Sequence, residues 1–393
     1  MRADFLDSEL KQIKDAGLHR QLRLVGGDQG PTLTLGGREA INFSSNNYLG
    51  IANHPALAAA AKAAIDRYGC GAGASRLISG NMTLHEELEA KLAKFKNTEA
   101  ALVFNSGFQA NIGLLSTLTG EGDAILSDAL NHASIIDGCR LSKAQTSVYA
   151  HCDLDALEAG LKQAAPARRR LIVTETIFSM DGDRAPLREI VELAEKYDAM
   201  VMVDEAHGTG VFGANGAGVV AELGLASRVL VQMGTLGKAL GGFGAYVAGS
   251  QALCDLLINR CRSFIFTTAL PPAVMAMALA AIDLVQSEPQ RRDALRRNCQ
   301  KLKQGLSRLG FELGASESPI LPLLVGDAAR CMAMSAALLD RGVFAQGIRP
   351  PTVPAGTSRL RITSMATHSE GQVDRALQVF EEVKRQWPPI TTS

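Results

Sequence analysis

Apolar residues along this chain change their period several times, and each change marks an element. Residues 32–35 and 40–43 alternate apolar and polar side chains around Gly36 and Gly37, the pattern of a β-hairpin closed by a glycine turn. Before them, residues 7–17 are polar and charged and predict a short helix. His54 and Pro55 open an Ala-rich helix. Residues 83–96 place Leu84, Leu88, Leu92 and Phe95 at helical spacing, and Glu86 follows Thr83 as in a capping box. Short apolar runs then recur at 101–104, 124–126, 171–173, 200–203 and 229–231, with helical stretches between them. Runs this short and this apolar are buried on both faces, so the alternation predicts an α/β fold around a mostly parallel sheet.

After residue 287 the pattern changes again. A long charged helix, a strand at 320–325, a helix near 331–341, a strand at 359–363 and a final helix predict a smaller α+β domain. The expected division is an N-terminal helix and hairpin segment 1–50, a large domain 51–287 and a small domain 288–393.

Composition narrows the class of protein. Lys+Arg and Asp+Glu both number 40, so there is no bulk positive charge to hold a nucleic acid. With 47% hydrophobic and only 20% charged residues the chain is expected to fold. The seven cysteines are scattered without a CxxC, which predicts a reducing compartment and no structural metal. The first residues lack a signal-peptide pattern, and the apolar stretch 273–282 falls short of the roughly 20 residues that span a bilayer. A cytoplasmic protein without a membrane partner is the expectation.

Two glycine motifs mimic nucleotide sites. Gly208, Gly210 and Gly213 fit GxGxxG after a strand, but Asn215, Gly216 and Gly218 predict a continuing loop where a dinucleotide site needs a helix. Gly237-Lys238 lacks the rest of a Walker loop, since Gln232 and Ala239 stand where Gly and Ser or Thr are required.

The chemistry gathers elsewhere. Asp204 and His207 follow one apolar run and Thr235 and Lys238 another, and functional groups of α/β sheets collect beyond the carboxyl ends of strands. A lysine for a Schiff base, a carboxylate for a pyridine nitrogen and an imidazole for a phenolic oxygen are what pyridoxal 5'-phosphate (PLP) needs. Ser106-Gly107-Phe108 opens a helix after a strand, a seat for a phosphate, where Thr235 would add a hydroxyl. Taken singly, a strand-end Asp is more often a turn or cap residue, and a Lys between Gly and Ala is more often solvated. Together they favour a site.

Nearly the whole chain resembles the α-oxoamine synthase family of fold-type I PLP enzymes. The strings are NFSSNNYLG (42–50), GASRLISG (73–80), NHAS (131–134), FSMDGD (178–183), DEAHGTG (204–210), TLGKALG (235–241), RPPTVP (349–354) and SRLR (358–361). The resemblance implies an aspartate aminotransferase-like fold, with a seven-stranded sheet in the large domain. It implies that Lys238 is the Schiff-base lysine and base, that His132 stacks on the cofactor ring, and that Asp204 and His207 meet the pyridinium nitrogen and the phenolic oxygen. Ser179 would lie near that oxygen. Gly107, Phe108 and Thr235 would meet the phosphate, with Thr267 or Thr268 reaching a neighbouring subunit's phosphate. Arg361 would clamp the amino acid carboxylate, although Arg359 is an alternative. Asn46 and Arg349 would help place the substrate, and Arg20 and Thr352 would lie near the acyl thioester. The implied reaction joins L-alanine to pimeloyl-CoA or pimeloyl-acyl carrier protein with loss of CO2, in a homodimer with shared active sites. The alternative is glycine or serine with another acyl-CoA.

Overall fold

A computed structural model describes residues 4–386. It contains two compact units, one of residues Asn46–Leu295 and one that combines the chain up to Ser45 with the chain from Arg296 onward.

The first unit is built on a seven-stranded sheet. Its spatial order is Ala100–Phe104, Ala245–Gly249, Val231–Thr235, Met200–Asp204, Arg170–Glu175, Ala124–Asp128 and Gln145–Tyr149. Only Ala245–Gly249 runs antiparallel to its neighbours, and every other pair is parallel. The expected mostly parallel sheet is therefore present. Ile125, Leu171, Ile172, Val173 and Val203 are fully buried, as strands covered on both faces must be. Each such side chain contributes about 1.5–3 kcal/mol on leaving water.

The apolar runs predict the strands closely except one. Val229 precedes its strand, which runs Val231–Thr235 and so carries Thr235 at its very end. The helix Thr83–Lys96 forms as expected, but its cap lies one residue earlier than the Thr83–Glu86 pairing implied. His85 Nδ1 accepts from the Met82 amide at 3.2 Å, while Glu86 accepts from Asn81 at 2.8 Å. The apolar stretch near 273–282 belongs to the helix Pro272–Ser287, and the long charged stretch is the helix Gln290–Arg308. No helix among the described residues is long and apolar enough to cross a membrane.

The second unit holds the hairpin Thr32–Leu35 and Arg38–Asn42, extended by Val25–Gly26 on one side and Val343–Phe344 on the other. A second sheet places Ser358–Thr363 between Ile320–Gly326 and Gln346–Ile348. Phe43, Leu302, Leu323, Leu338, Leu360 and Phe380 belong to its core.

Candidate active site

Asp204 ends one strand and Thr235 ends the strand beside it, with Asp204 opposite Met233 in parallel register. The two loops that follow bring His207 and Lys238 together. Lys238 Nζ lies 2.8 Å from His207 Nε2, and His207 Nδ1 lies 2.7 Å from Tyr48 Oη. Tyr48 in turn donates to Asn46 Oδ1 at 3.3 Å. One consistent assignment runs along this chain: Lys238 donates to Nε2, the Nδ1–H donates to Tyr48, and the phenol donates to Asn46. Gly210 and Gly241 allow the loops to approach. Both have positive φ, and a Cβ on Gly210 would stand 2.7 Å from Ala239.

Asp204 anchors a second chain. Its Oδ1 accepts from the Ala206 amide at 2.8 Å and its Oδ2 from Asn111 Nδ2 at 2.9 Å. Asn111 Nδ2 also donates to Ser134 Oγ at 2.9 Å, and Ser134 Oγ lies 2.8 Å from His132 Nδ1. His132 also caps the helix Ala133–Ser142 by accepting from the Ser134 amide at 3.2 Å. His132 therefore serves as a helix cap while its ring belongs to this hydrogen-bonded chain. His132 is exposed by surface area but sits in a crowded recess. That partial burial lowers its pKa, the Asp204 carboxylate opposes the effect, and the Lys238 charge reinforces it.

Glu175 stands opposite Asp204 in the neighbouring strand. Burial, with the Asp204 charge in support, pushes its carboxyl well above the usual range.

The helix Gly107–Leu118 starts directly after Ala100–Phe104, with Ser106 Oγ accepting from the Gln109 amide at 3.2 Å. Asn105 donates to Thr267 Oγ1 at 3.3 Å and to the Thr268 carbonyl at 2.9 Å, which places both threonines beside that helix start in the same chain. Phe108 is exposed. Thr235 Oγ1 accepts from the Gly237 amide at 3.1 Å and donates to the Gly244 carbonyl at 3.0 Å, so it also shapes the lysine loop. Ser179 rides on a turn closed by the Gly182 amide on the Phe178 carbonyl at 2.8 Å. His151 holds that turn, with Asp183 at 2.7 Å from one ring nitrogen and Asp128 at 2.9 Å from the other.

Four expected substrate residues lie in the other unit. Arg20 donates to Thr352 Oγ1 at 3.1 Å, and Arg349 donates to the His19 carbonyl at 2.6 Å, so Arg20, Arg349 and Thr352 share one locus. Arg361 and Arg359 are both buried in the strand Ser358–Thr363, two residues apart and so on one face.

The GxGxxG stretch forms turns, and the next helix starts only at Val219. Its fixed point is a buried pair between Lys96 and Glu205. Gly218 has φ of 109°, and a Cβ there would stand 2.6 Å from the Glu205 carboxylate. These glycines make room for an ion pair.

A family model for class I and II aminotransferases matches residues 38–380. The chain is 53% identical over 380 residues to an 8-amino-7-oxononanoate synthase of Geobacter sulfurreducens, covering 96% of this chain and 97% of the relative. The chain belongs to the class I and II aminotransferase family, on its 8-amino-7-oxononanoate synthase branch. Among solved structures, a serine palmitoyltransferase carrying PLP superposes with a TM-score of 0.92 at 35% identity, covering 98% of both chains. An 8-amino-7-oxononanoate synthase from Francisella tularensis gives 0.76 at 29% identity, covering 88% of this chain and 99% of that one.

The cofactor of this branch is PLP, and the donor set fits it. Asp204 is 5% exposed, and its hydrogen-bond donors, Asn111 and the Ala206 amide, are neutral. Among the described residues no salt bridge supplies it with a cation, and a buried carboxylate is stable when a cation meets it, as a protonated pyridine nitrogen would. An amine, an imidazole and a helix start complete the set.

Sequence reasoning did not single out Tyr48, Asn111, Ser134 or Glu175 for roles. Tyr48 and Ser134 lie inside the family strings. Asn111 was legible only as a polar residue one turn after Gly107 in an apolar helix.

Proposed function

We propose that the chain is an 8-amino-7-oxononanoate synthase that condenses L-alanine with a pimeloyl thioester, releasing CO2 and free thiol, in biotin biosynthesis. The observation that carries this reading is the Lys238–His207 contact of 2.8 Å beside Asp204, in a chain whose sequence runs at 53% identity with a named synthase.

PLP supplies a carbonyl that condenses with amines and a ring that accepts the electron pair left at Cα. Lys238 holds the cofactor and, as a neutral amine, takes the Cα proton of alanine. His207 keeps the amine directed through its Nε2. Asp204 stabilises a protonated ring nitrogen. Gly107, Phe108 and Thr235 serve the phosphate, together with Thr267 or Thr268 of a neighbouring subunit, and Ser179 the phenolic edge. Arg361 clamps the alanine carboxylate, and Asn46 and Arg349 help to orient the substrate. Arg20 and Thr352 face the thioester, carried by CoA or acyl carrier protein. His132 donates to the thioester carbonyl as charge develops there. The working form is a cytoplasmic homodimer; Phe108, Phe243 and Phe266 are exposed apolar side chains suited to a subunit contact.

A second reading takes serine or glycine with another acyl-CoA, and the TM-score of 0.92 to a serine palmitoyltransferase favours it. Backbone similarity reports the shared scaffold, whereas 53% identity against 35% weighs the side chains, and these set selectivity. Purified holoenzyme with pimeloyl-CoA or a panel of other acyl-CoAs, each offered with alanine, glycine or serine and followed by mass spectrometry, decides. The expected product is 8-amino-7-oxononanoate from alanine. Product from serine or glycine alone supports the second reading.

A further inference from the structure

The hydrogen bonds around His132 define more than its position. The Asp204 carboxylate can only accept, so the Asn111 group facing it at 2.9 Å is the NH2. The same Nδ2 lies 2.9 Å from Ser134 Oγ, and its second hydrogen goes there. Ser134 Oγ thus accepts from Asn111 and has its own hydrogen left to give. His132 Nδ1 lies 2.8 Å from that hydroxyl and also 3.2 Å from the Ser134 amide, a donor whose direction the helix fixes. A proton on Nδ1 would point against the amide hydrogen. Nδ1 is therefore an acceptor twice over.

We infer that Asn111 and Ser134 are positioning residues that lock His132 as the neutral tautomer protonated on Nε2. The ring then presents a hydrogen-bond donor outward and cannot act as a base there. The proton-accepting role at Cα is left to Lys238. The charged and titratable groups facing His132 are Asp204, Lys238 and Glu175. Asp204 draws a proton toward the ring and Lys238 repels it. Glu175 stands opposite Asp204 in the neighbouring strand, beyond that carboxylate. Asn111 and Ser134 are both buried, which shields this relay from competing water. The functional consequence rests on the proposed role of His132 toward the thioester, but the tautomer itself does not.

The test uses PLP-loaded protein labelled with 15N in its histidine rings, with the His132 signals assigned by His132→Asn. Long-range proton–nitrogen spectra at pH 7.5 are expected to show His132 with a protonated Nε2 and an unprotonated Nδ1. Ser134→Ala is expected to mix the tautomers and raise the pKa, and to lower kcat about tenfold, the worth of one hydrogen bond, with the KM for alanine unchanged. Ser134→Thr is expected to restore the spectrum. A proton on Nδ1 in the parent protein, or an unchanged tautomer in Ser134→Ala, overturns the inference. Because no substrate is present in the spectra, this outcome is independent of which amino acid the enzyme uses.

Discussion

Lys96 and Lys238 each meet a side chain from the same short stretch, Asp204 to His207, yet in opposite ways. Lys96 is wholly buried against the Glu205 carboxylate and the Ala217 carbonyl. Burial alone would lower its pKa, but Glu205 and Tyr246 outweigh this, so the net shift is upward and the lysine stays charged. Lys238 is half-buried and meets the imidazole of His207. A lysine locked to a buried anion holds the fold, and one that meets an imidazole at a recess is available for covalent chemistry. Alternation at the strand end does the sorting, since Asp204 turns toward Asn111 and Glu205 turns toward Lys96.

The largest effect that could break this contrast is Lys238→Ala. It should abolish borohydride-fixable attachment of PLP and cut turnover by at least about 10³-fold, with an unchanged melting temperature. Lys96→Met should do the reverse. Leaving Glu205 buried and uncompensated should cost about 3–5 kcal/mol in urea unfolding, while PLP still attaches to Lys238. Equal loss of stability in the two variants would remove the distinction.

The histidines extend the comparison over pH. His85 and His368 are buried and neutral, each with a pKa lowered to about 4, mainly by burial. The unfolded chain binds these protons first, so stability should fall as pH drops from about 6.5 toward 4, by on the order of 3 kcal/mol per histidine. His368→Gln should flatten that decline in a melting series. His151 behaves oppositely. Burial opposes its charge, but Asp128 and Asp183 raise its pKa to about 12. Its stabilisation is complete below about pH 6.5 and is lost as pH rises toward 12. His151→Gln should therefore lower the melting temperature most at and below about pH 6.5 and flatten the decline toward alkaline pH, where the two proteins converge. The smallest effect belongs to the exposed Arg228–Glu195 pair, whose two contacts are both 2.7 Å. Arg228→Ala should leave the melting temperature unchanged within error, since solvent screens such pairs.

Much of this arrangement is legible in the sequence because apolar runs report burial directly. Four of the five predicted strand runs fall within strands, and Lys238, Asp204 and His207 stand where strand ends predict. Two strands of the seven-stranded sheet escape that reading. Gln145–Tyr149 is a polar, partly exposed edge strand, and Ala245–Gly249 is short and bounded by glycines. The relay through Asn111 and Ser134 escapes for another reason. Hydrogen bonds between residues 23 and 93 positions apart leave no periodic trace.

The most direct measurement is borohydride reduction of the holoenzyme followed by peptide mass mapping. The contrast between the two lysines predicts a single phosphopyridoxyl adduct, on Lys238, and unmodified Lys96. An adduct on any other lysine, or none on Lys238, would contradict it.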